Sequence, residues 1–163
     1  MELVLLVGLP GAGKTTFYRH RFADTHVHVS GDLIRSRKYS RRKQLRKVAA
    51  ALAAGRSVVV DNTNPTAAGR AQFVAVGREH RARILCYFFP PDVAVSLERN
   101  ARRAGRGRVP PVAIYAAKKR MEEPAFREGF ERICVVEARE PAVFLVQPRA
   151  REEGPPAPAD PTP

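Results

Sequence analysis

The fold of this chain is decided by residues 3–15, which read LVLLVGLPGAGKT. The first five are apolar without interruption, which is typical of a strand buried on both faces of a sheet. The next eight, Gly8–Thr15, match the pattern G-x-x-x-x-G-K-[ST], and a helical segment follows from Thr16. Glycines let successive backbone N–H groups turn inward around a phosphate, and the following helix directs its positive end to the same place. The stretch therefore predicts a phosphate-binding loop between a strand and a helix.

The loop also predicts which nucleotide groups its side chains contact. Lys14 would neutralise the β- and γ-phosphates, and Thr15 would supply a hydroxyl ligand to Mg²⁺. The pattern indicates ATP or GTP as donor and carries little information on the group that receives the phosphate. We take ATP and Mg²⁺ as the predicted cofactors. The ATP-binding residues predicted from the loop are Gly8, Leu9, Pro10, Gly11, Ala12, Gly13, Lys14, Thr15 and Thr16.

The rest of the chain alternates apolar runs with segments of helical spacing. The runs at 26–30, 57–61, 83–89, 133–136 and 143–146 indicate further strands. Strands that are apolar on both faces need helices on both sides of their sheet. Repeated strand–helix units form right-handed crossovers, so the sheet should be mainly parallel. The sequence therefore predicts an α/β fold with three layers, α/β/α, of the P-loop NTPase type, whose ligands bind beyond the carboxyl ends of the strands.

Local signals predict where several helices begin and end. The apolar spacing over residues 45–52 marks one face of a helix, which Gly55 should end. Asn64 followed by Pro65 predicts an N-cap and the first residue of the next helix. Asp92 predicts a cap for a later helix.

Two acidic residues follow strands at the edge where the phosphate-binding loop is expected. Asp32 comes after the second strand, where a carboxylate can accept the proton of an attacking hydroxyl, and Arg35 would hold a nearby anionic group. Asp61 ends the third strand, as expected of a residue that orients the magnesium shell. The alternative is helix capping for Asp32 and turn chemistry for Asp61. We predict Asp32 as catalytic and acceptor-binding, Arg35 as acceptor-binding, and Thr15 with Asp61 as metal-binding.

An arginine cluster lies between a helical pattern and a Val-Pro-Pro segment, and Gly105 and Gly107 interrupt it. We predict a mobile lid over about residues 99–110 that closes over ATP and stabilises charge on the transferred group. A solvated charge run is the alternative. Arg99 and Arg103 are four residues apart and should share a helix face. The members of the cluster are Arg99, Arg102, Arg103, Arg106 and Arg108.

The net charge of +13 is the outlying feature of the composition, with 29 Lys and Arg against 16 Asp and Glu. A field of that sign attracts polyanions, although an arginine-rich composition can also reflect a GC-rich genome. Residues 35–47 include eight basic side chains and no acidic one. This favours an elongated phosphodiester as acceptor over an uncharged metabolite. The side chains expected to face outward from this helix are Arg42, Lys43, Arg46 and Lys47.

Length and composition predict one folded domain with a short tail. A chain of 163 residues with 44% hydrophobic residues can bury a sizeable core, which excludes a disordered or collagen-like protein. The domain is predicted at 1–148, and the proline-rich residues 149–163 as a flexible tail. No apolar run approaches the roughly 18 residues of a spanning helix, so no membrane partner is expected. Cys86 and Cys134 lie in strand-like runs, which predicts buried free thiols and a cytoplasmic protein.

The motifs fall in the order found in the kinase domains of polynucleotide 5′-hydroxyl kinases, and the chain resembles that family over roughly Leu3 to Val136. The loop alone occurs in many kinases, whereas the Asp-Asn-Thr-Asn and Glu-Gly-Phe elements are more specific in combination. The resemblance is carried by Gly8–Thr15, Ser30-Gly31-Asp32 with Arg35, Val60-Asp61-Asn62-Thr63-Asn64-Pro65, Arg99-Asn100 with Arg103 and Val109-Pro110, and Tyr115 with Pro124 and Glu128-Gly129-Phe130.

The resemblance implies a role for the matching residues. Asp32 corresponds to the family's general base, which activates the 5′-hydroxyl, and Arg35 to the residue that contacts the acceptor's 3′-phosphate. Lys14 and Arg103 correspond to the pair that stabilises the transferring phosphoryl group, with Arg99 on the same lid. The implied fold is a P-loop kinase of the adenylate-kinase type.

The predicted function is an ATP-dependent kinase that transfers the γ-phosphate to the 5′-hydroxyl end of DNA or RNA. Two alternatives stay open at this point. One is a P-loop kinase of a small-molecule hydroxyl acceptor, such as a nucleoside, sugar or antibiotic. The other is a nucleotide-regulated nucleic-acid-binding module. Family members are often fused to a phosphatase domain, and no Asp-x-Asp-x-Thr phosphatase motif occurs in this sequence.

Overall fold

A computed structural model of the chain describes residues 1–33, 40–139 and 142–151. Within these ranges six strands form one sheet in the order β2-β3-β1-β4-β5-β6. The strands are β1 Glu2–Val7, β2 Val27–Val29, β3 Val58–Asp61, β4 Arg83–Phe88, β5 Arg132–Arg139 and β6 Val143–Pro148. The helices between them are α1 Lys14–Arg21, α2 Ser40–Ala53, α3 Ala67–Glu79, α4 Val93–Ala101 and α5 Pro111–Arg120.

The first five strands run parallel, and β6 returns antiparallel to β5 at one edge. β1 lies between β3 and β4, so the chain builds the sheet first on one side of β1 and then on the other. In the register, Leu6 of β1 lies opposite Asp61 of β3, and Val60 lies opposite Val29 of β2. The loops after these three strands therefore meet at one edge, where the topology of parallel sheets places ligands.

The core lies on both faces of the sheet because the side chains of β1 alternate between two buried clusters. Leu3, Leu5 and Val7 belong to the cluster that α2 and α3 cover, and Val4 and Leu6 belong to the cluster that α1 covers. A third, smaller cluster lies under the phosphate-binding loop, where the side chain of Leu9 packs against α5. The predicted α/β fold, with helices on both faces of a mainly parallel sheet, is thus confirmed.

Two of the three predicted helix signals are confirmed, and one is wrong. Gly55 follows α2 with φ +71°, and the Asp92 carboxylate accepts a hydrogen bond from Val95 N at the start of α4. The cap of α3, however, is Thr66, whose hydroxyl accepts from Gly69 N at 3.1 Å. Asn64 is not the cap because its φ of +45° is left-handed and its side-chain amide donates to the carbonyl of Leu6 at 2.8 Å.

The remaining expectations about the chain have mixed outcomes. Cys86 and Cys134 are buried free thiols, as predicted. Arg149, which the sequence assigns to the tail, is held on the folded body because its guanidinium donates to the carbonyl of Pro124 and pairs with Glu123. The tail from residue 152 onward lies outside the described residues. In the part of the chain that the structure describes, no helix is long and apolar enough to cross a membrane.

Candidate active site

The phosphate-binding loop connects β1 to α1 and needs glycine at two positions for different reasons. Gly11 has φ +86°, and a Cβ there would stand 2.6 Å from the carbonyl oxygen of Ser96, so both backbone and space require glycine. Gly13 has φ +99° and immediately precedes the first turn of α1. The loop is tied to the end of β3 because Gly8 N donates to the carbonyl of Thr63 at 3.1 Å.

Lys14 lies at the start of α1 with its side chain folded over the loop. Its ammonium donates to the carbonyls of Gly8 at 3.0 Å and Leu9 at 2.8 Å, and only 7% of the residue is exposed. Burial and the nearby charge of Arg103 lower the pKa of Lys14, Asp61 and Asp32 oppose the shift, and the net result is a pKa of about 8. Asp32, Asp61 and Arg103, which the sequence predicted as site residues from separate segments, therefore lie close enough to Lys14 to affect its pKa.

Asp61 and Thr15 form the centre of the predicted metal site. The Thr15 hydroxyl donates to Asp61 Oδ2 at 2.7 Å, and His28 Nε2 lies 3.1 Å from the same oxygen. A carboxylate only accepts, so this His28 nitrogen carries the hydrogen. Burial raises the pKa of Asp61, but the hydrogen bonds from His28 and Thr15 and the charge of Lys14 outweigh it and hold the pKa below its ordinary value.

This donor set fits Mg²⁺, which prefers oxygen ligands and is bound through one or two protein groups together with substrate phosphates. An ionised carboxylate and a hydroxyl at the end of the phosphate-binding loop meet that description. No group of three or more His, Cys, Asp or Glu side chains that could hold a metal occurs among the described residues. Thr15 and Asp61 would hold the ion.

His28 was not anticipated from the sequence, although it determines how Asp61 is oriented. Its ring stacks on Tyr18 of α1 with centroids 3.9 Å apart and an interplanar angle of 10°. The ring is thus fixed from one side by α1 and from the other by Asp61 at the end of β3. The His-Val-His alternation over residues 26–28 was the available signal, since alternate residues of an extended segment point to the same side.

The predicted catalytic residues line one cavity of about 460 Å³, which we call the transfer cavity. Asp32 lies exposed in a short 3-10 turn, Gly31–Leu33, directly after β2 and opposite the phosphate-binding loop. Arg35 lies outside the described residues, so its predicted contact with the acceptor stays a prediction. The cavity is lined by Pro10, Gly11, Lys14, Thr15, Asp32, Ser40, Arg41, Gln44, Asp61, Asn62, Thr63, Asn64, Pro65, Arg103, Gly107 and Val109.

A chain of side-chain hydrogen bonds fixes the far wall of the transfer cavity. Asn62 accepts from Gly31 N at 2.9 Å and donates to Gln44 Oε1 at 2.6 Å, and Gln44 donates to Ser40 Oγ at 2.9 Å. The turn that carries Asp32, the loop after β3 and the first turn of α2 are therefore bonded to one another. Gln44 was not predicted as a site residue because its partner lies 18 positions away.

A second cavity of about 260 Å³, the lid cavity, lies on the other side of the phosphate-binding loop. Arg99 extends into this region and donates to the carbonyls of Ala12 at 3.4 Å and Ala138 at 2.9 Å. Arg103 lines both cavities, which suits a cation that contacts the phosphate passing between them. The lid cavity is lined by Gly11, Gly13, Thr16, Arg99, Arg102, Arg103, Ala138, Arg139, Ala142 and Phe144.

The arginine-rich segment differs from its prediction in one respect. Helix α4 ends at Ala101, so Arg99 lies on the helix and Arg103 lies after it, and the two do not share a helix face. The base of the segment is closed by Asn100, whose amide donates to the carbonyl of Val109 at 2.8 Å and whose oxygen accepts from Val109 N at 3.0 Å. The mobility predicted for the lid stays a prediction.

The loop after β3 is held from behind by a buried arginine that sequence reasoning missed. Arg70 of α3 is fully buried and forms two parallel hydrogen bonds of 2.7 Å with the Glu128 carboxylate. Its remaining nitrogen donates to the carbonyls of Asn64, Pro65 and Glu122. Glu128 belongs to the Glu-Gly-Phe element, so the structure gives a reason for that element to accompany the Asp-Asn-Thr-Asn loop.

Comparison with known proteins identifies the family of the chain. The model of the AAA_33 family, described as an AAA domain, matches residues 3–124, and the chain belongs to that family. Two curated relatives are named bifunctional polynucleotide phosphatase/kinase. The one from Schizosaccharomyces pombe is 27% identical over 136 residues, covering 81% of this chain and 32% of that protein. The putative one from Acanthamoeba polyphaga mimivirus is 28% identical over 142 residues, covering 83% of this chain and 33% of that protein. The chain thus spans about a third of the length of these relatives.

Solved structures share the fold. A fungal RNA kinase superposes with a TM-score of 0.65 at 14% identity, covering 94% of this chain and 78% of that one. A gluconokinase from Sinorhizobium meliloti 1021 superposes with a TM-score of 0.61 at 18% identity, covering 83% and 81%. The predicted P-loop kinase fold and the resemblance to polynucleotide kinases are thereby confirmed.

Proposed function

Because the chain belongs to this family, we propose that it transfers the γ-phosphate of ATP to the 5′-hydroxyl end of a DNA or RNA strand. The observation that carries the proposal is the transfer cavity, where the Asp32 carboxylate and the Lys14 ammonium line one space. A kinase needs a proton acceptor on one side of the transferred group and positive charge on the other. These two side chains supply both requirements.

The described residues divide the work of an in-line transfer among them. Asp32 accepts the proton of the acceptor hydroxyl as its oxygen attacks the γ-phosphorus. Lys14 and Arg103 stabilise the negative charge on the transferred group, and backbone N–H groups of the loop hold the phosphates. When bound, Mg²⁺ supplies further positive charge at the phosphate oxygens, and Thr15 and Asp61 are the residues that would hold it. We further propose that segment 99–110 closes over the nucleotide and carries Arg103 with it.

The charge around the transfer cavity supports a nucleic acid as acceptor. Helix α2 begins at its wall, and the four side chains predicted to face outward, Arg42, Lys43, Arg46 and Lys47, are all exposed. Exposed cations along a helix beside an active site attract the phosphodiester backbone of a strand. The names of the curated relatives point the same way.

The experiment is a transfer assay with labelled ATP, Mg²⁺ and matched DNA and RNA oligonucleotides that carry a 5′-hydroxyl. The same oligonucleotides with a 5′-phosphate serve as controls, since they lack the accepting group. We expect label to be transferred only to the 5′-hydroxyl forms, and Asp32→Asn to lower kcat by about 10²- to 10⁴-fold. Asp24→Asn, which removes an exposed carboxylate from the loop before β2, should leave turnover unchanged.

A second candidate is a kinase of a small hydroxyl compound, which the shared fold with a gluconokinase keeps open. The two functions are separated by adding gluconate, a nucleoside and a 5′-hydroxyl oligonucleotide to parallel reactions. Transfer to a small acceptor with none to any oligonucleotide would contradict the proposed function. The contribution of Asp32 would be contradicted if Asp32→Asn retained wild-type kcat.

A further inference from the structure

One cation of the transfer cavity has no anionic partner in the described structure. Arg41, the second residue of α2, lines the cavity, yet its guanidinium forms no hydrogen bond or ion pair with any described residue. Its Nη1 is shielded from solvent as well. The segment 34–39, which precedes the helix, contains no acidic residue in its sequence. Burial lowers the pKa of Arg41, and no neighbouring carboxylate offsets that effect.

The position of this guanidinium is determined by the protein before any ligand binds. Its central carbon lies 4.7 Å from the centroid of the Phe73 ring, and Phe73 is a fully buried residue of α3. The turn of α2 that carries Arg41 is bonded through Ser40, Gln44 and Asn62 to the loop after β3. A guanidinium over an aromatic ring is attracted by the ring and keeps its N–H groups for hydrogen bonds.

A partly buried cation without a counter-charge is costly, and such groups in proteins are normally paired. At Arg41 this cost is retained in the cavity that also contains Asp32, the carboxylate predicted to activate the acceptor. Arg41 lines the transfer cavity with Asp32, and it is not among the residues of the lid cavity, where Arg99 and Arg102 of the predicted lid lie. The missing anion is therefore expected on the acceptor, since ATP approaches from the loop.

We propose that Arg41 binds a phosphodiester of the acceptor strand and so selects a phosphate-bearing acceptor over an uncharged hydroxyl compound. This rests on the proposed function and adds a specificity-determining residue to it. A planar guanidinium suits the task because it donates two parallel hydrogen bonds to a phosphate. The exposed cations Arg42 and Arg46 continue the positive charge along α2, so a strand held at Arg41 follows the helix surface.

The test measures binding without turnover, so that it does not depend on the transfer assay. A labelled 5′-hydroxyl trinucleotide is titrated with protein in the presence of ADP, and Kd is obtained from fluorescence anisotropy. Arg41→Met keeps apolar contact with Phe73 and removes the charge, while Arg41→Lys keeps the charge and removes the planar fork. Arg56→Ala removes an exposed cation before β3 as the matched control. Affinity for ATP in each variant reports that the site is folded.

We expect Arg41→Met to raise the trinucleotide Kd about 10- to 100-fold, Arg41→Lys to raise it less, and Arg56→Ala to leave it unchanged. ATP affinity should be the same in all four proteins. Replacing one linkage of the trinucleotide at a time by an uncharged methylphosphonate then identifies the phosphate that Arg41 contacts. At that linkage the replacement should weaken binding to wild type and have no further effect on Arg41→Met, because the partner is already absent.

Three results would overturn the proposal. The first is a trinucleotide Kd for Arg41→Met equal to that of wild type, and the second is an equal loss from every methylphosphonate in both proteins. The third is a wild-type protein that binds no trinucleotide. If wild type shows the Arg41-dependent binding and yet transfers no phosphate, the proposed function fails and the binding role of Arg41 stands. If wild type transfers phosphate and Arg41→Met binds the trinucleotide as wild type does, the proposed function stands and the binding role of Arg41 fails.

Discussion

Replacing Glu128 by glutamine should destabilise the protein because it leaves the buried Arg70 without its counter-charge. The side chain of Arg70 is fully buried and that of Glu128 is 9% exposed, so solvent cannot substitute for the lost carboxylate. The variant keeps the shape of the side chain but replaces one acceptor oxygen of the 2.7 Å pair by a donor. The carbonyls around Arg70 still accept from it. Glu128 Oε1 also accepts from Ala125 N at 3.0 Å, a bond that the amide oxygen of glutamine can keep, so the main loss is the charge pair.

The expected loss in the free energy of unfolding is about 3 to 5 kcal/mol, the range for breaking one partner of a buried ion pair. For a protein of this length that loss corresponds to a fall in Tm of about 6 to 20 °C. Glu131→Gln is a matched control three residues away. Its carboxylate lies 3.5 Å from Arg83, and both side chains are about half exposed. An exposed pair contributes about 0 to 1 kcal/mol, so this variant should stay close to wild type.

The assay is equilibrium urea unfolding of the three proteins, followed by circular dichroism at the pH of the transfer assay. A loss for Glu128→Gln no larger than the loss for Glu131→Gln would refute the reasoning, since burial would then make no difference. The slope of the free energy of unfolding against urea concentration must be unchanged for a shift in the midpoint to report a change in stability. If Glu128→Gln lowers the free energy of unfolding and also weakens acceptor binding, the Arg70–Glu128 pair supports the loop after β3, whose carbonyls accept from Arg70.

Three further outcomes follow from local geometry. Because the pKa of Lys14 is lowered to about 8, the lysine loses its charge above that pH, and ATP affinity measured by calorimetry should fall about tenfold between pH 7 and 9. Lys14→Arg stays protonated and should show a flat profile, so a flat wild-type profile would contradict the burial of the ammonium. Gly11→Ala should lower the free energy of unfolding by about 1 to 3 kcal/mol, because φ is +86° and the new Cβ meets Ser96 O, whereas Gly107→Ala meets nothing within 4 Å and should change it little. Thr66→Ala removes the cap of α3 and should cost about 1 kcal/mol in urea unfolding, and a neutral result would mean that Asn64 or Pro65 begins the helix after all.

Several parts of the site were predictable because their signals are local in sequence. The loop over residues 8–15 contains its glycines, its lysine and its threonine within one turn, so its chemistry can be read from consecutive residues. Asp32 and Asp61 were predicted from their positions after strands, because parallel strands end at a common edge. The structure brings both into the transfer cavity with Lys14.

Other parts were not predictable because their partners are far apart in the chain. Arg70 and Glu128 are separated by 58 positions, and His28 and Asp61 by 33. Periodicity showed that α3 would be a helix, but not which arginine it would bury. The cap of α3 was misplaced for a related reason. The side chain of Asn64 was drawn to the carbonyl of Leu6, a partner 58 residues away that only the folded sheet supplies.

The amino-acid sequence by itself determined the strand–loop–helix that binds phosphate, the parallel sheet and the acidic residues at its edge, since each follows from hydrophobic spacing or backbone freedom within a few residues. The tertiary structure alone decided which charges are neutralised by protein and which are left for a ligand. Arg70 is paired and Arg41 is not, although both are arginines near the start of a helix. The reason is physical: the free energy of a buried charge depends on what other segments place beside it, and that arrangement exists only after the chain has folded.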